Sequence, residues 1–323
     1  MLTRNITVLL GGTLAIATAG LLFSMDVTTK EHDREILTEP AALHAVHVLP
    51  MMPERIRHPF GDADVRAMSG AGQVAELFDN ADYHLPAVRA GNPVAGLFSL
   101  NLPDNLDAQN VDNKINDFIR ILLPNVLAVN RQIMKVRHEI MRLAALPREG
   151  LSQHEKAWLA ALGKDYGVNG LDIETLLLHL DVIPVGMVLA QGIDESGWGT
   201  SHFAIAGNAL YGEHLPPGGA DFLTTPGGSV KVAAFTSLYQ CTAAYIYNLN
   251  TSGAYAELRK LRRELRQEKG LSGFQLVGAL SHYSIRGNAY VDNLRALIDN
   301  HQLDSYDMAK LDTSQPQVLK FRR

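Results

Sequence analysis

The sequence predicts a mainly helical α+β protein, and three observations carry that expectation. Between Val111 and Leu146 the apolar residues fall at Ile115, Phe118, Ile119, Leu122, Val126, Val129, Ile133, Val136, Ile140 and Leu143, the 3/4 spacing of one helix face. From Val185 to Ile193 every residue is apolar except Gln191 and the glycines Gly186 and Gly192, too apolar for a helix with a wet side. Phe222-Leu223-Thr224 and Val230, Val232 and Phe235 flank Pro226-Gly227-Gly228, β-prone runs around a turn that read as a small hairpin.

Composition narrows the function classes. The chain has 323 residues, 46% of them hydrophobic and 20% charged, enough for a globular body with a real core. A formal net charge of −5 gives no basic excess for nucleic acid. The single cysteine, Cys241, excludes an internal disulfide and a cysteine-rich metal site. His44, His47 and His58 have no ligand spacing, so neither metal nor cofactor is expected. Gly70-Ala71-Gly72 is not read as a dinucleotide fingerprint, because no strand is predicted before it. No G-x-S-x-G elbow or phosphate loop occurs.

In chain order, Arg4 precedes the charge-free run Ile6–Phe23, so residues 1–23 read as an export signal or an inner-membrane anchor. Ala17-Thr18-Ala19 suits cleavage, whereas the continuing Leu21-Leu22-Phe23 suits an uncleaved anchor. With Arg4 retained inside, the rest is exported either way, which places it in the periplasm. Residues 24–105, interrupted by Pro40, Pro50, Pro53, Pro59, Pro86, Pro93 and Pro103, read as a partly ordered spacer. Residues 106–150 read as a helical arm that Pro124 kinks or splits. Ser152, with Glu155 three residues on, opens the next helix by a capping box. A short helix over Leu171–Leu180, the apolar run and the hairpin follow, and then helices over Leu238–Asn250, Ala254–Glu268, Gly273–His282 and Ala289–His301. The alternating charges of Glu257–Lys269 read as a solvated face. Residues 151–303 form the expected domain, and 304–323 a partly ordered tail.

The apolar helix ends by delivering Glu195, followed by Ser196-Gly197-Trp198-Gly199. A helix C-terminus and partial burial against Trp198 both disfavour a charged carboxylate. That pushes its pKa upward, as a general acid near neutral pH requires.

Ala190-Gln191, Glu195-Ser196-Gly197-Trp198-Gly199-Thr200-Ser201 and Gly207-Asn208-Ala209-Leu210-Tyr211-Gly212 together resemble the glucosaminidase family. These are peptidoglycan hydrolases of glycoside hydrolase family 73, which includes the FlgJ-like domains. Phe235 matches the family's phenylalanine after the hairpin. Tyr247-Asn248-Leu249-Asn250-Thr251, Ala254-Tyr255-Ala256-Glu257-Leu258-Arg259 and Tyr283-Ser284-Ile285-Arg286-Gly287-Asn288-Ala289-Tyr290-Val291 resemble its exported Bax branch. The likeness runs from about Leu102 to Leu303.

The resemblance implies a lysozyme-like domain with the hairpin beside a sugar cleft. It implies an endo-β-N-acetylglucosaminidase acting on the glycan strands of peptidoglycan, with Glu195 as general acid and Tyr283 as active-site tyrosine. Gln191, Trp198, Asn208, Tyr211 and Tyr290 become substrate-binding candidates. Many family members carry a second carboxylate on the hairpin, yet Phe222–Ala254 contains no Asp or Glu. Asp221 and Glu213, flanking the hairpin, remain the candidates for it. Asp194 stands where relatives usually have an apolar residue, as a buried-polar puzzle or a neighbour that raises the pKa of Glu195. A one-acid site leaves two alternatives open, a lytic transglycosylase and a membrane-tethered peptidoglycan-binding protein without turnover.

Overall fold

The computed structural model describes residues 47–60, 63–170, 172–212, 221–224, 231–268 and 270–322. The chain divides into Met1–His47 and a body, Val48–Arg323, and the description concerns that body. The signal or anchor reading of residues 1–23 lies outside the described residues. Among those described, no helix is long and apolar enough to cross a membrane.

In chain order the body begins with β1 (Val65–Met68), α1 (Ala71–Asn80), α2 (Leu85–Arg89), β2 (Leu97–Ser99) and the long α3 (Val111–Ala144). Next come α4 (Gln153–Asp165), α5 (Ile173–His179), α6 (Val185–Ser196), α7 (His202–Gly207), β3 (Phe222–Thr224) and β4 (Lys231–Ala233). The chain continues through α8 (Leu238–Thr251), α9 (Ala256–Glu268), α10 (Gly273–Leu276), α11 (Asn288–Asn300) and β5 (Gln317–Phe321). The fold is mainly helical α+β, as the periodicity predicts. The hairpin is present, β3 pairing antiparallel with β4, and its turn at 226–228 lies outside the described residues.

The segment expected to be an arm is the centre of the molecule. Every side chain from Asp117 to Val129 is buried, and α3 packs against α6, α8 and β2. Pro124 does not split it. Proline offers no N–H to the carbonyl four residues back, which leaves the Arg120 oxygen orphaned. The Tyr83 hydroxyl donates to that oxygen at 3.2 Å, so the helix runs through. Arg120 in turn donates to Asp79 at 2.9 Å and to the Tyr83 carbonyl at 3.3 Å, which binds the N-terminal elements to α3.

Neither the spacer nor the tail is loose where it is described. β5, from the expected tail, is the middle strand of a parallel three-stranded sheet of order β1-β5-β2. The flanking strands come from the expected spacer, with Val65 opposite Val318 and Leu97 opposite Gln317. In β5, Val318, Leu319 and Phe321 are buried and Lys320 is exposed. Short strands at long separation show little local pattern, so proline content dominates the reading of their segments. A strand does precede Gly70, and α1 follows it. Its helix start is already occupied, since Asn105 Oδ1 accepts the Ala71 N–H at 2.9 Å.

The charge run on α9 is not wholly solvated either. Arg259 and Arg262 are buried. Arg262 donates to the carbonyls of Leu178 at 2.8 Å and Asp181 at 3.1 Å and to Asn250 Oδ1 at 2.6 Å. It thereby satisfies the end of α5, whose last carbonyls have no partner within the helix.

α6 lies at the heart of this packing, with Met187, Val188, Leu189 and Ile193 buried, each contributing about 1.5–3 kcal/mol. Its first turn is held by the segment after α11. Gly186 N–H donates to Asp307 Oδ1 at 2.8 Å. A Cβ on Gly186 would stand 2.9 Å from the Asp304 backbone nitrogen, so glycine is required by proximity.

Candidate active site

α6 ends in an unusual turn. Gly197, Trp198 and Gly199 have φ of +57°, +58° and +73°, three left-handed residues in a row. Glycine tolerates this region freely and tryptophan at a cost of about 1–2 kcal/mol. Ser196 Oγ holds the turn by accepting the Gly199 N–H at 2.8 Å. A Cβ on Gly199 would meet the Phe118 ring at 2.7 Å. The Trp198 ring packs edge-on against Phe118 and His301, with centroids 6.1 and 4.9 Å away. The Glu-Ser-Gly-Trp-Gly motif is thus a backbone device that stops the helix at a fixed point.

Glu195 sits at that point, half-buried. Its Oε1 accepts the Tyr290 hydroxyl at 2.9 Å. Gln191, one turn back on α6, donates through Nε2 to the Tyr290 oxygen at 2.9 Å, and its own Oε1 accepts the hydroxyl of Tyr245 on α8. An ionised carboxylate only accepts, so the polarity of this chain is set: Tyr245 to Gln191, Gln191 to Tyr290, Tyr290 to Glu195. Burial keeps both phenolic protons in place by pushing the pKa of Tyr245 and Tyr290 upward.

The other oxygen, Oε2, faces Gly212. A Cβ there would stand 3.3 Å from it, and Gly212 has φ of +65°. With Oε1 engaged by a donor, the proton of a neutral Glu195 belongs on Oε2. Burial raises the Glu195 pKa above the ordinary carboxylate value. The Tyr290 hydrogen bond opposes this, the charge of Asp194 adds to it, and Arg286 subtracts. The expected direction holds, with burial as its leading cause.

Asp194 leaves α6 ~100° round from Glu195, and its oxygens are committed elsewhere. It forms an ion pair with Arg286 and accepts the Asn293 side-chain amide at 2.6 Å. The buried-polar puzzle resolves into a clamp between α6 and the loop and start of α11. Arg286 also lies over the Tyr290 ring, 4.6 Å from its centroid.

Tyr283 joins the cluster by stacking on Tyr290, with centroids 5.5 Å apart and planes 3° apart. Its hydroxyl donates to the Tyr211 carbonyl at 2.9 Å. Gln191, Tyr211 and Tyr290 are buried, so they support the acid and do not present surfaces to a sugar. Tyr211 stacks on Tyr245 at 4.0 Å. Trp198 is half-buried and directed toward α3. Asn208 is buried, in the left-handed region with φ of +54°, and its amide donates to the Phe235 carbonyl at 2.9 Å. It fixes the loop to the hairpin base. Asp221 is exposed at the start of β3, and Glu213 lies outside the described residues.

Sequence reasoning did not single out Tyr245, Gly212, Arg286 or Asn293 as parts of the site. Tyr245 had a usable signal: with Leu238, Cys241 and Leu249 it follows helical spacing, and a tyrosine on a buried face needs a hydroxyl partner.

Residues 173–303 match the glucosaminidase family, described as mannosyl-glycoprotein endo-beta-N-acetylglucosaminidase, so the site described belongs to a glycosidase domain. The chain is 30% identical over 212 residues to the protein Bax of Escherichia coli K12, covering 63% of this chain and 76% of that relative. The catalytic domain of the Listeria monocytogenes autolysin Auto aligns with 53% of this chain and 96% of its own, at 15% identity and a TM-score of 0.31. The chain belongs to the Bax-type glucosaminidases.

Proposed function

We propose that the protein hydrolyses the β-1,4 glycan backbone of peptidoglycan as an endo-β-N-acetylglucosaminidase, with Glu195 as the general acid. The observation that carries this reading is the polarised chain from Tyr245 to Glu195. It leaves one acidic proton, on Oε2, on a carboxyl group whose pKa is raised. Such a group donates to a leaving glycosidic oxygen near neutral pH. The hydroxyl hydrogen of Tyr283 is engaged by the Tyr211 carbonyl, so toward a substrate its oxygen accepts. That suits the N–H of a 2-acetamido group, whose carbonyl oxygen would then stand at the anomeric carbon and assist departure. A substrate-assisted route needs only one protein acid.

The commitment of Asp194 to Arg286 and Asn293 favours one further reading, since it removes the adjacent carboxylate from a role as base. A lytic transglycosylase uses the sugar's own 6-hydroxyl as acceptor and also needs one acid. Cell-wall zymography of wild type and Glu195→Gln, with mass spectrometry of the products, separates the readings. Clearing by wild type alone with reducing N-acetylglucosamine ends is the expected result. Anhydro-muramic ends mean transglycosylation, and equal gels for the two proteins mean a non-catalytic binder. The charge-free run behind Arg4 supports an exported, periplasmic protein, held at the inner membrane if that run is retained. Fractionation of cells expressing the full chain tests this.

A further inference from the structure

On the sheet face that carries Val318 and Phe98, both buried, the β1 side is open: Val65 and Ala67 are exposed. Val65 and Ala67 on β1 and Lys320 on β5 share that face by register, and with Arg322 they line a groove of about 620 Å³. That volume lies within the ~300–1,000 Å³ range of small-ligand sites. Arg57, His58, Phe235, Thr236 and Ser237 also line the groove.

The charge of this groove is one-sided. Its described lining contains Arg57, His58, Lys320 and Arg322 and no Asp or Glu. Among the described residues, none of the three strong bases enters an ion pair. The Nδ1 atom of His58 is buried without a hydrogen-bond partner. In a chain of net charge −5, such a cluster raises the local concentration of anions. Val65, Ala67, Leu100, Phe235 and Phe321 give the lining an apolar share.

The groove adjoins the segment that carries the site. Asn208 lines it and bonds to Phe235, which also lines it. Four residues beyond Asn208 the chain reaches Gly212, against Glu195 Oε2.

We propose that this groove binds the carboxylate-bearing peptide that hangs from the glycan strand, so the enzyme recognises peptide-substituted strands. The proposal rests on the peptidoglycan reading. A lining that joins apolar side chains to exposed bases fits a short peptide whose side chains are partly apolar and whose carboxylates meet the bases. A peptide-free strand keeps only the lactyl carboxylate on alternate sugars and offers no apolar side chains to the groove.

The test measures binding without turnover. A soluble alanyl-isoglutamyl-diaminopimelate stem peptide is titrated into the full-length Glu195→Gln protein, alone and with Lys320→Glu and Arg322→Glu added. Both added positions are exposed, and circular dichroism and melting confirm that the fold is kept. Saturable binding that salt weakens and the double change reduces at least tenfold is the expected result. No binding, binding indifferent to the double change, or equal competition by inorganic phosphate and the peptide overturns the proposal. In the background active at Glu195, the double change should raise KM at least tenfold for peptide-bearing strands. It should leave amidase-stripped strands unaffected, and a matching loss on stripped strands also overturns it. If wild type cuts neither substrate, the hydrolase reading fails, while the titration still decides whether the groove takes the peptide.

Discussion

Tyr290→Phe isolates the last link of the chain that ends on Glu195. The hydroxyl lies 2.9 Å from Glu195 Oε1, and it lowers the pKa of an acid that burial raises. A hydrogen bond to a charged group is worth about 1.5–3 kcal/mol and one to a neutral group about 0.5–1.5 kcal/mol. Its removal therefore disfavours the ionised form by roughly 1–1.5 kcal/mol, or about one pH unit. The alkaline limb of kcat/KM reports the general acid of the free enzyme. It should move up by about one unit, because Glu195 then holds its proton to higher pH. The change also leaves the buried Gln191 Nε2 without its acceptor, at about 1–3 kcal/mol of stability. Rates on defined glycan strands across pH, beside urea unfolding, give both quantities. An alkaline limb that stays put or moves down refutes the assignment of Glu195 as the acid under control of Tyr290.

Asp194→Asn removes a charge that raises the Glu195 pKa and leaves Arg286 unpaired, so its alkaline limb should move down; Arg286→Gln should move it up, and the pair of profiles checks the sign. Gly212→Ala places a Cβ 3.3 Å from Glu195 Oε2 at φ of +65°; about 1–2 kcal/mol of stability and most of kcat should be lost, as melting and initial rates will read. Asp307 is pushed up to about 7, chiefly by burial and further by Asp304. An acid whose folded pKa exceeds its unfolded one contributes stability that is full below the unfolded value and lost as pH rises through the folded value. The melting temperature should therefore fall between about pH 4 and about pH 7 in wild type and change less in Asp307→Asn.

Helix α6 was legible because its signals are local: Pro184 at the start, a run apolar except for Gln191 and two glycines, and glycines at the stop. The hairpin and the capping box at Ser152 were legible for the same reason. What escaped depends on partners distant in sequence. Pro124 looked like a break because nothing near it announces that Tyr83 will satisfy Arg120. Arg259 and Arg262 carry the same charge as their solvated neighbours, and only the unfilled carbonyls at the ends of α8 and α5, respectively, draw them inward. Trp198, beside the acid in sequence, turns toward Phe118 because three left-handed residues redirect the chain. The upward shift of Glu195 was anticipated, but its wall of tyrosines comes from α8, α11 and the loop before α11, whose convergence no local pattern encodes.

The pairing of β5 with β1 has a mechanical consequence. The two strands are parallel, with partners from Val65–Val318 through Met68–Phe321. A pull drawn from the N-terminal end of β1 and the C-terminal end of β5 slides the strands past each other. It strains all their hydrogen bonds together and cannot peel them one at a time. Survival under such a load is set by the rate of crossing the unfolding barrier and not by equilibrium stability. Between those two ends the polypeptide runs through every helix of the body, so this short seam acts as the clasp that shields the helices from tension along the chain.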